Sequence, residues 1–278
     1  MLKVTILCDN STIIDSYLYG EPGFSAWIEC GGRCILFDTG YSDIFLKNAQ
    51  LLGLDLSQLD YLVYSHGHND HTWGTHALIT YMDRKGMNTK PVLVAHPQTF
   101  AEKRSSTHYI GTLLAEEALS RFFTLNCAAA PCELLPALWW LGEIEPSVTP
   151  RGSVGRVKTE NGWEPDFCYD DSALAAVTAE GLVIITGCSH SGICNVIEQA
   201  RRVTGVEKVA DIIGGFHLLE SSKDELAVIE DYFRSVNISK LHPCHCTDTA
   251  AKAFLSQSFK VCETGAGLTL EYQGAPGL

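Results

Sequence analysis

The chain has 278 residues, 46% hydrophobic and 19% charged, enough apolar material for a core of its own, so disorder is excluded. Its 20 Lys and Arg stand against 33 Asp and Glu, a formal charge of −13, which is the wrong sign for gripping a polyphosphate backbone, so no nucleic-acid partner is expected. Eleven cysteines spread without framework spacing, behind an N-terminal stretch too short and too acidic for an export leader, read as free thiols in a reducing, cytoplasmic setting, and no run reaches the roughly 18 apolar residues of a membrane span.

Along the chain, Val4–Cys8, Ser25–Cys30 and Cys34–Phe37 read as strands, the last two joined by a Gly31-Gly32 hairpin turn. Ile44, Phe45, Ala49 and Leu52 recur at helical spacing until Gly53 stops the pattern. A buried strand over Asp60–Tyr64 runs straight into Ser65-His66-Gly67-His68-Asn69-Asp70-His71, which puts these histidines on a loop at a strand's carboxyl end, where α/β proteins place ligands. Val92–Ala95 is another strand, ending at His96-Pro97. Gly111–Phe123 reads as helical and Asn126–Pro136 has no clear period, so residues 99–165 are expected to form an insertion or lid on a single domain spanning 1–278.

Leu174–Thr178 and Leu182–Thr186 form a hairpin around Glu180-Gly181, and the second strand ends at Gly187-Cys188-Ser189-His190. A helix over Ile193–Val203 follows, capped by Gly205; a strand over Val209–Ile213 then ends at Gly214-Gly215-Phe216-His217. Asp224–Val236 is an amphipathic helix, and the strand Ile238–Leu241 leads into His242-Pro243-Cys244-His245-Cys246. Strand runs followed by strand–helix units in each half suggest two packed sheets with helices outside.

The loop at 66–71 packs three imidazoles and a carboxylate into six residues. In an extended loop His66 and His68 project to one side and can reach one ion. Asp70 and His71 lie beyond, where the chain turns into a helix, and can face a second ion about 3.5–4 Å away. Imidazole and carboxylate donors suit zinc, with iron or manganese as alternatives. A single histidine on a polar loop is ordinarily a solvated surface residue; three with an aspartate at this spacing are not.

His217 ends a strand on the side of these loops, which favours a substrate-facing role, whereas His76 and His108 read as surface residues and His96 is open between the two. His242, Cys244, His245 and Cys246 are too close in sequence to wrap one ion tetrahedrally, so a zinc knuckle is rejected. Lys103 and Arg104 are candidates to meet an anionic group of a substrate. Glu116-Glu117 and Asp170-Asp171 read as solvated faces, and the pair Trp139-Trp140 as core rather than lid.

The 66–71 loop, with Ile35-Leu36-Phe37-Asp38-Thr39-Gly40 upstream, resembles the metallo-β-lactamase superfamily, in the branch of metal-dependent hydrolases that includes dihydropterin ribofuranosylaminobenzene phosphate synthases. Further matching stretches are Leu7-Cys8-Asp9-Asn10, Asn48-Ala49, Thr186-Gly187-Cys188-Ser189-His190, Ile213-Gly214-Gly215-Phe216-His217 and His245-Cys246-Thr247. The resemblance implies a four-layer αββα sandwich with the metal site at the edge between the sheets. It assigns His66 and His68 to a first metal position, Asp70 and His71 to a second, and His245 to completing the second. The chain departs from the pattern in having no Pro-Gly-His and in carrying Cys188 where Thr-Gly-Asp is common. His190 is the choice for the missing first-position nitrogen. Cys188 is either a thiolate ligand or a small buried residue. Trp73 stands where relatives have glycine and is expected to narrow the site.

The activity implied is that of a two-metal hydrolase that activates water against a small, anionic, phosphate-bearing substrate, with Asp70 orienting the nucleophile and His217 facing the substrate. Transfer with displacement of diphosphate, iron-dependent redox chemistry in the same fold, and a metal-dependent sensor without turnover are the competing expectations.

Overall fold

The computed structural model describes residues 1–274. In chain order its strands are β1 Leu2–Cys8, β2 Ser25–Cys30, β3 Arg33–Phe37, β4 Leu59–Val63, β5 Val92–Ala95, β6 Lys103–Arg104, β7 Thr124–Cys127, β8 Cys132–Leu135, β9 Leu138–Trp140, β10 Arg156–Thr159, β11 Gly162–Pro165, β12 Ala173–Thr178, β13 Gly181–Thr186, β14 Val209–Gly215, β15 Lys240–Cys244 and β16 Thr269–Tyr272. The α-helices are α1 Ile44–Leu51, α2 Asn69–Thr72, α3 Thr75–Lys85, α4 Glu116–Leu119, α5 Ile193–Thr204, α6 Lys223–Ser235 and α7 Thr249–Leu255. Among the described residues no helix is long and apolar enough to cross a membrane.

A seven-stranded sheet runs in the order β16-β1-β2-β3-β4-β5-β7, a six-stranded sheet in the order β15-β14-β13-β12-β9-β8, and β11-β10-β6 form a small third sheet. The β2–β3 hairpin turns at Gly31 and Gly32, both with positive φ (57° and 75°), the backbone a tight hairpin demands. From β3 through β4 and β5 the pairing is parallel, and so it is from β13 through β14 to β15. Parallel strands require crossovers, so the loops leaving their carboxyl ends gather at one edge of each sheet.

The side-chain period of two sorts each strand's apolar residues between two cores. On β13, Val183 and Ile185 face the other sheet, where they join Ile28 and Phe37, while Leu182 and Ile184 face α5 and α6 together with Ile197 and Phe233. A third cluster buries Trp27 and Leu36 under Phe45 of α1 and Leu78 and Met82 of α3. Three cores stacked in this way make four layers, helix–sheet–sheet–helix. Helix α5 ends at Gly205 in the left-handed conformation, and α6 starts with a capping box between Ser222 and Glu225.

Residues 99–165 are distributed through the fold: β7 adds an edge to the first sheet, β8 and β9 extend the second, and β6, β10 and β11 form the small sheet. Trp140 is fully buried between the two large sheets. The helix expected over Gly111–Phe123 is reduced to the single turn α4. Tertiary hydrogen bonds claim the rest: Gly111 N donates to Lys103 O, Gly111 O accepts from Trp73 Nε1, and Thr112 O accepts from the Tyr109 hydroxyl.

Candidate metal centre

The loop after β4 is anchored from the end of β3. Asp38 accepts the Ser65 backbone N–H (2.7 Å) and the Ser65 hydroxyl (2.6 Å), and its Oδ2 lies 2.7 Å from His71 Nδ1. With its own proton given to Asp38, Ser65 Oγ can accept from His66 Nδ1 at 2.9 Å, which leaves the lone pair of His66 on Nε2. That Nε2 is 3.0 Å from His68 Nδ1 and 3.2 Å from His190 Nε2, all three residues being buried. The structure thus brings His66, His68 and His190 into one group.

A second group forms beside it. His71 Nε2 lies 3.2 Å from His245 Nε2, 3.2 Å from Cys188 Sγ and 3.8 Å from Asp70 Oδ1, and Asp70 Oδ2 is 3.4 Å from His245 Nε2. The far nitrogens are tethered: His71 Nδ1 to Asp38, and His245 Nδ1 to Asn10 Oδ1 at 3.0 Å. Asp9 also accepts the His245 backbone N–H at 2.7 Å. An outer acceptor on one ring nitrogen is what turns the other toward a metal. Cys188 also groups with His66 and His71, so its thiol sits on the seam between the two groups, while Cys246 groups with Cys188 and His245. Cys246 Sγ accepts the His217 backbone N–H at 3.3 Å.

These donors fit cations. Three imidazole nitrogens facing one another at hydrogen-bond distance cannot all be satisfied by one another's protons, and the other ring nitrogens of His68 and His190, buried Nε2 and Nδ1, have no partner among the described residues. Burial, followed by the neighbouring imidazoles, pushes His66 and His190 well below the ordinary histidine value; burial and then Lys103 bring His68 down to about 3. All three are neutral at pH 7 and keep their lone pairs. His71 runs the other way: burial lowers it, but Asp70 and Asp38 prevail and raise it. Burial raises the Asp70 carboxyl, and His71 and His245 outweigh this and hold it low. Burial, then Cys246, pushes the Cys188 thiol up; Cys246 is lowered against its own burial by Cys188 and His245.

Asp38, Ser189, His217 and His245, each just beyond a strand end at this edge, have φ of 57°, 59°, 51° and 50°. Non-glycine residues held in the left-handed region collect where geometry is dictated by a site rather than by local preference.

Two expectations are corrected by burial. Asp170 and Asp171 are 1% and 0% exposed and form a brace, not a solvated face. Asp170 Oδ2 accepts Gly67 N at 2.7 Å, within the 66–68 loop, and Asp171 Oδ2 accepts Ser191 N at 2.9 Å, beside His190. Lys103 does not present its charge to a substrate: at 1% exposure its ammonium is spent on Asp170 (2.5 Å) and Asp166 (3.2 Å). Arg104 does not join the site either, its guanidinium lying 4.2 Å from the Trp163 ring centroid.

His217 stands next to His190, ring centroids 4.4 Å apart, partly exposed and with no side-chain hydrogen bond among the described residues. His96 turns inward, its Nδ1 accepting Gln98 N, and His242 pairs with buried Asp211 at 2.7 Å. Trp73 stacks on Tyr41, centroids 4.9 Å apart. Sequence reasoning gave no role to Asp38, Asn10, Cys246, Asp170 or Asp171. The first three lie in stretches already singled out; the acidic pair carries no local signal, because its partner Gly67 is 103 residues away.

The family model of the metallo-β-lactamase superfamily matches residues 18–203. A 7,8-dihydropterin-6-methyl-4-(β-D-ribofuranosyl)-aminobenzene-5′-phosphate synthase of Methanocaldococcus jannaschii is 29% identical over 275 residues, covering 93% of this chain and 92% of that protein. An uncharacterized protein of the same organism, MJ0448, is 32% identical over 262 residues, 91% of this chain and 94% of its own length. The crystal structure of Tm1679, described as a metal-dependent hydrolase of the β-lactamase superfamily, is similar with a TM-score of 0.83 at 30% identity, covering 98% of this chain and 99% of that one.

Proposed function

Because the chain belongs to the metallo-β-lactamase superfamily, we propose that it is a two-cation hydrolase acting on a small, phosphate-bearing substrate. The observation that carries this reading is the pair of adjoining donor groups, His66/His68/His190 and Asp70/His71/His245, with Cys188 on the seam. Divalent cations held there, zinc by the nitrogen-rich donor set, would supply Lewis acidity and a bound water with a pKa near neutrality. The anionic character of the substrate is supported by charge: in a chain of net charge −13, cations at these groups would be the local focus of positive potential. It is supported also by the phosphate in the name of the M. jannaschii relative.

The chain's own residues would divide the work. Asp38, Ser65 and Asn10 fix the tautomers and orientations of His66, His71 and His245. Asp70 keeps its charge under the influence of His71 and His245, so one carboxylate oxygen can orient a nucleophile. His217 is neutral, lowered by burial and then by His245, and offers one N–H and one lone pair to the reacting group. The free thiols of all eleven cysteines support a reducing, cytoplasmic setting.

A second reading, transfer, is favoured by the synthase relative. There the carbon–oxygen bond to a diphosphate would break, a carbon–nitrogen bond to an aminobenzene acceptor would form, and His217 would take the amine proton. Elemental analysis of protein purified without added metal, on wild type and His66→Ala, tests the common premise: about two equivalents and a marked loss are expected, and equal content in both overturns it. Aryl phosphate esters then separate the readings. Phosphate release without an acceptor supports hydrolysis; diphosphate release from a pterin diphosphate only when the aminobenzene acceptor is present supports transfer.

A further inference from the structure

A groove with a cavity volume of about 440 Å3 opens beside the donor groups, and the wall it shares with them is His190 and His217. Its remaining surface comes from three directions: residues 149–154 on one side, α6 on the other, and the start of α5 with Phe216 beneath. Val154, Ile193, Phe216, Leu218, Val228 and Ile229 supply apolar surface. Among the described residues no Lys or Arg lines it, and apart from the two histidines the one formally charged lining residue is Glu225. That carboxylate stays ionised, its value lowered by the Ser222 backbone N–H and hydroxyl it accepts as a helix cap. A second anionic group entering here would meet a negative charge and no cation.

We propose that this groove takes an uncharged, apolar portion of the substrate while its anionic group stays at the cation positions, so that the preferred substrates are phosphate esters with one anionic pole and one bulky neutral pole. The proposal rests on the reading of the donor groups given above and deepens it by naming the substrate class. The volume lies within the range of small-molecule sites, and apolar lining with a few polar points is their usual composition. His217, its side chain without a hydrogen-bond partner among the described residues and its ring lying between the groove and His190, marks the place where the two poles of such a molecule would join. The order of affinities follows from burial of apolar area, which a methyl ester cannot provide and a naphthyl ester can.

The test is calorimetric binding to the zinc-loaded protein of 1-naphthyl phosphate, methyl phosphate and 1-naphthol. Expected are a preference of about tenfold or more for the naphthyl over the methyl ester, and measurable binding of 1-naphthol alone. Gly152→Trp narrows the groove from its rim: a Cβ there meets nothing within 4 Å, and the backbone does not require glycine, so the variant should fold. Val228→Glu adds charge at a residue 55% exposed. Both should reduce the naphthyl-to-methyl ratio to about twofold or less and weaken 1-naphthol. A wild-type ratio near one, no binding of 1-naphthol, or a ratio untouched by both variants overturns the proposal. Because 1-naphthol carries no anion and no scissile bond, it tests the groove even if neither ester binds. Failure of both esters with 1-naphthol still bound would count against the anion-binding reading alone.

Discussion

Asp38 Oδ2 lies 2.7 Å from His71 Nδ1, with both side chains at 0% exposure, and the same carboxylate holds Ser65 through its backbone and its hydroxyl. One residue at the end of β3 therefore orients a ring in each donor group, His71 directly and His66 through Ser65. Asp38→Asn retains the shape but can no longer accept from all three donors. Zinc affinity, measured by competition with a chromophoric chelator, should fall about 10–100-fold. An unchanged affinity would show that Asp38 serves the fold and not the metal.

The tie from Asp170 to Gly67 N acts on the first group only. Asp170→Asn keeps an acceptor oxygen but loses the charge that faces Lys103. On the two-cation reading, a cation at His66, His68 and His190 should be lost first on dilution into chelator, with affinity reduced about tenfold, while one at Asp70, His71 and His245 is retained. Equal weakening of both would assign Asp170 to general stability.

Gly67 is glycine for lack of space. A Cβ there would lie 2.1 Å from the Thr99 carbonyl oxygen, and backbone cannot give way as a flexible side chain can. Gly67→Ala should destabilise by about 1–3 kcal/mol in urea unfolding, the range for overpacking a close-packed site. A variant of wild-type stability would mean that the loop over 65–71 relaxes freely.

Asp171 carries a pH dependence whose sign can be worked out. Burial pushes its carboxyl up to about 6 against the bonds from Ser191, so between its ordinary value of 3.8 and about 6 the folded chain binds the extra proton. Stability from this group is thus greatest at low pH and is lost as pH rises through that window. In chelator-treated protein, Asp171→Asn should raise the melting temperature relative to wild type at about pH 8 and give no such gain at about pH 4. A gain of equal size at both pH values would contradict the assignment.

Cys188 Sγ is 3.2 Å from His71 Nε2 and groups with His66 as well. If its thiolate ligates, cobalt-substituted protein should show a near-ultraviolet sulfur-to-cobalt charge-transfer band that Cys188→Ser abolishes, because a hydroxyl is a poor replacement for a thiolate. A band that survives the substitution would leave Cys188 as a packed neighbour.

Strands β1–β5 and β12–β15 and helices α5 and α6 were legible because period-two and period-3.6 patterns in them coincide with the layers they build, whereas β6–β11, in the stretch expected to be an insertion or lid, and β16 carry no such pattern. The 66–71 loop was legible because six consecutive residues carry their own chemical signal. Gly111–Phe123 was misread as helix because its partners, Lys103 and Trp73, lie elsewhere in the sequence and outcompete local preference. Lys103 and Arg104 were misplaced because a charged pair after a strand looks the same whether water or buried carboxylates await it. Asp170 and Asp171 illustrate the same limit: two adjacent acids become a brace only when loops from both sheets close on them.

The donors of each group come from far-separated parts of the chain, His190 being 124 residues from His66, and His245 being 174 from His71. No short segment can assemble either coordination sphere, so a divalent ion cannot act as the seed around which the polypeptide organises, as it does in zinc fingers. Contacts of such sequence separation form late. If these groups hold cations as proposed, loading would follow the docking of the two halves, and newly synthesised chains should pass through a folded, metal-free stage.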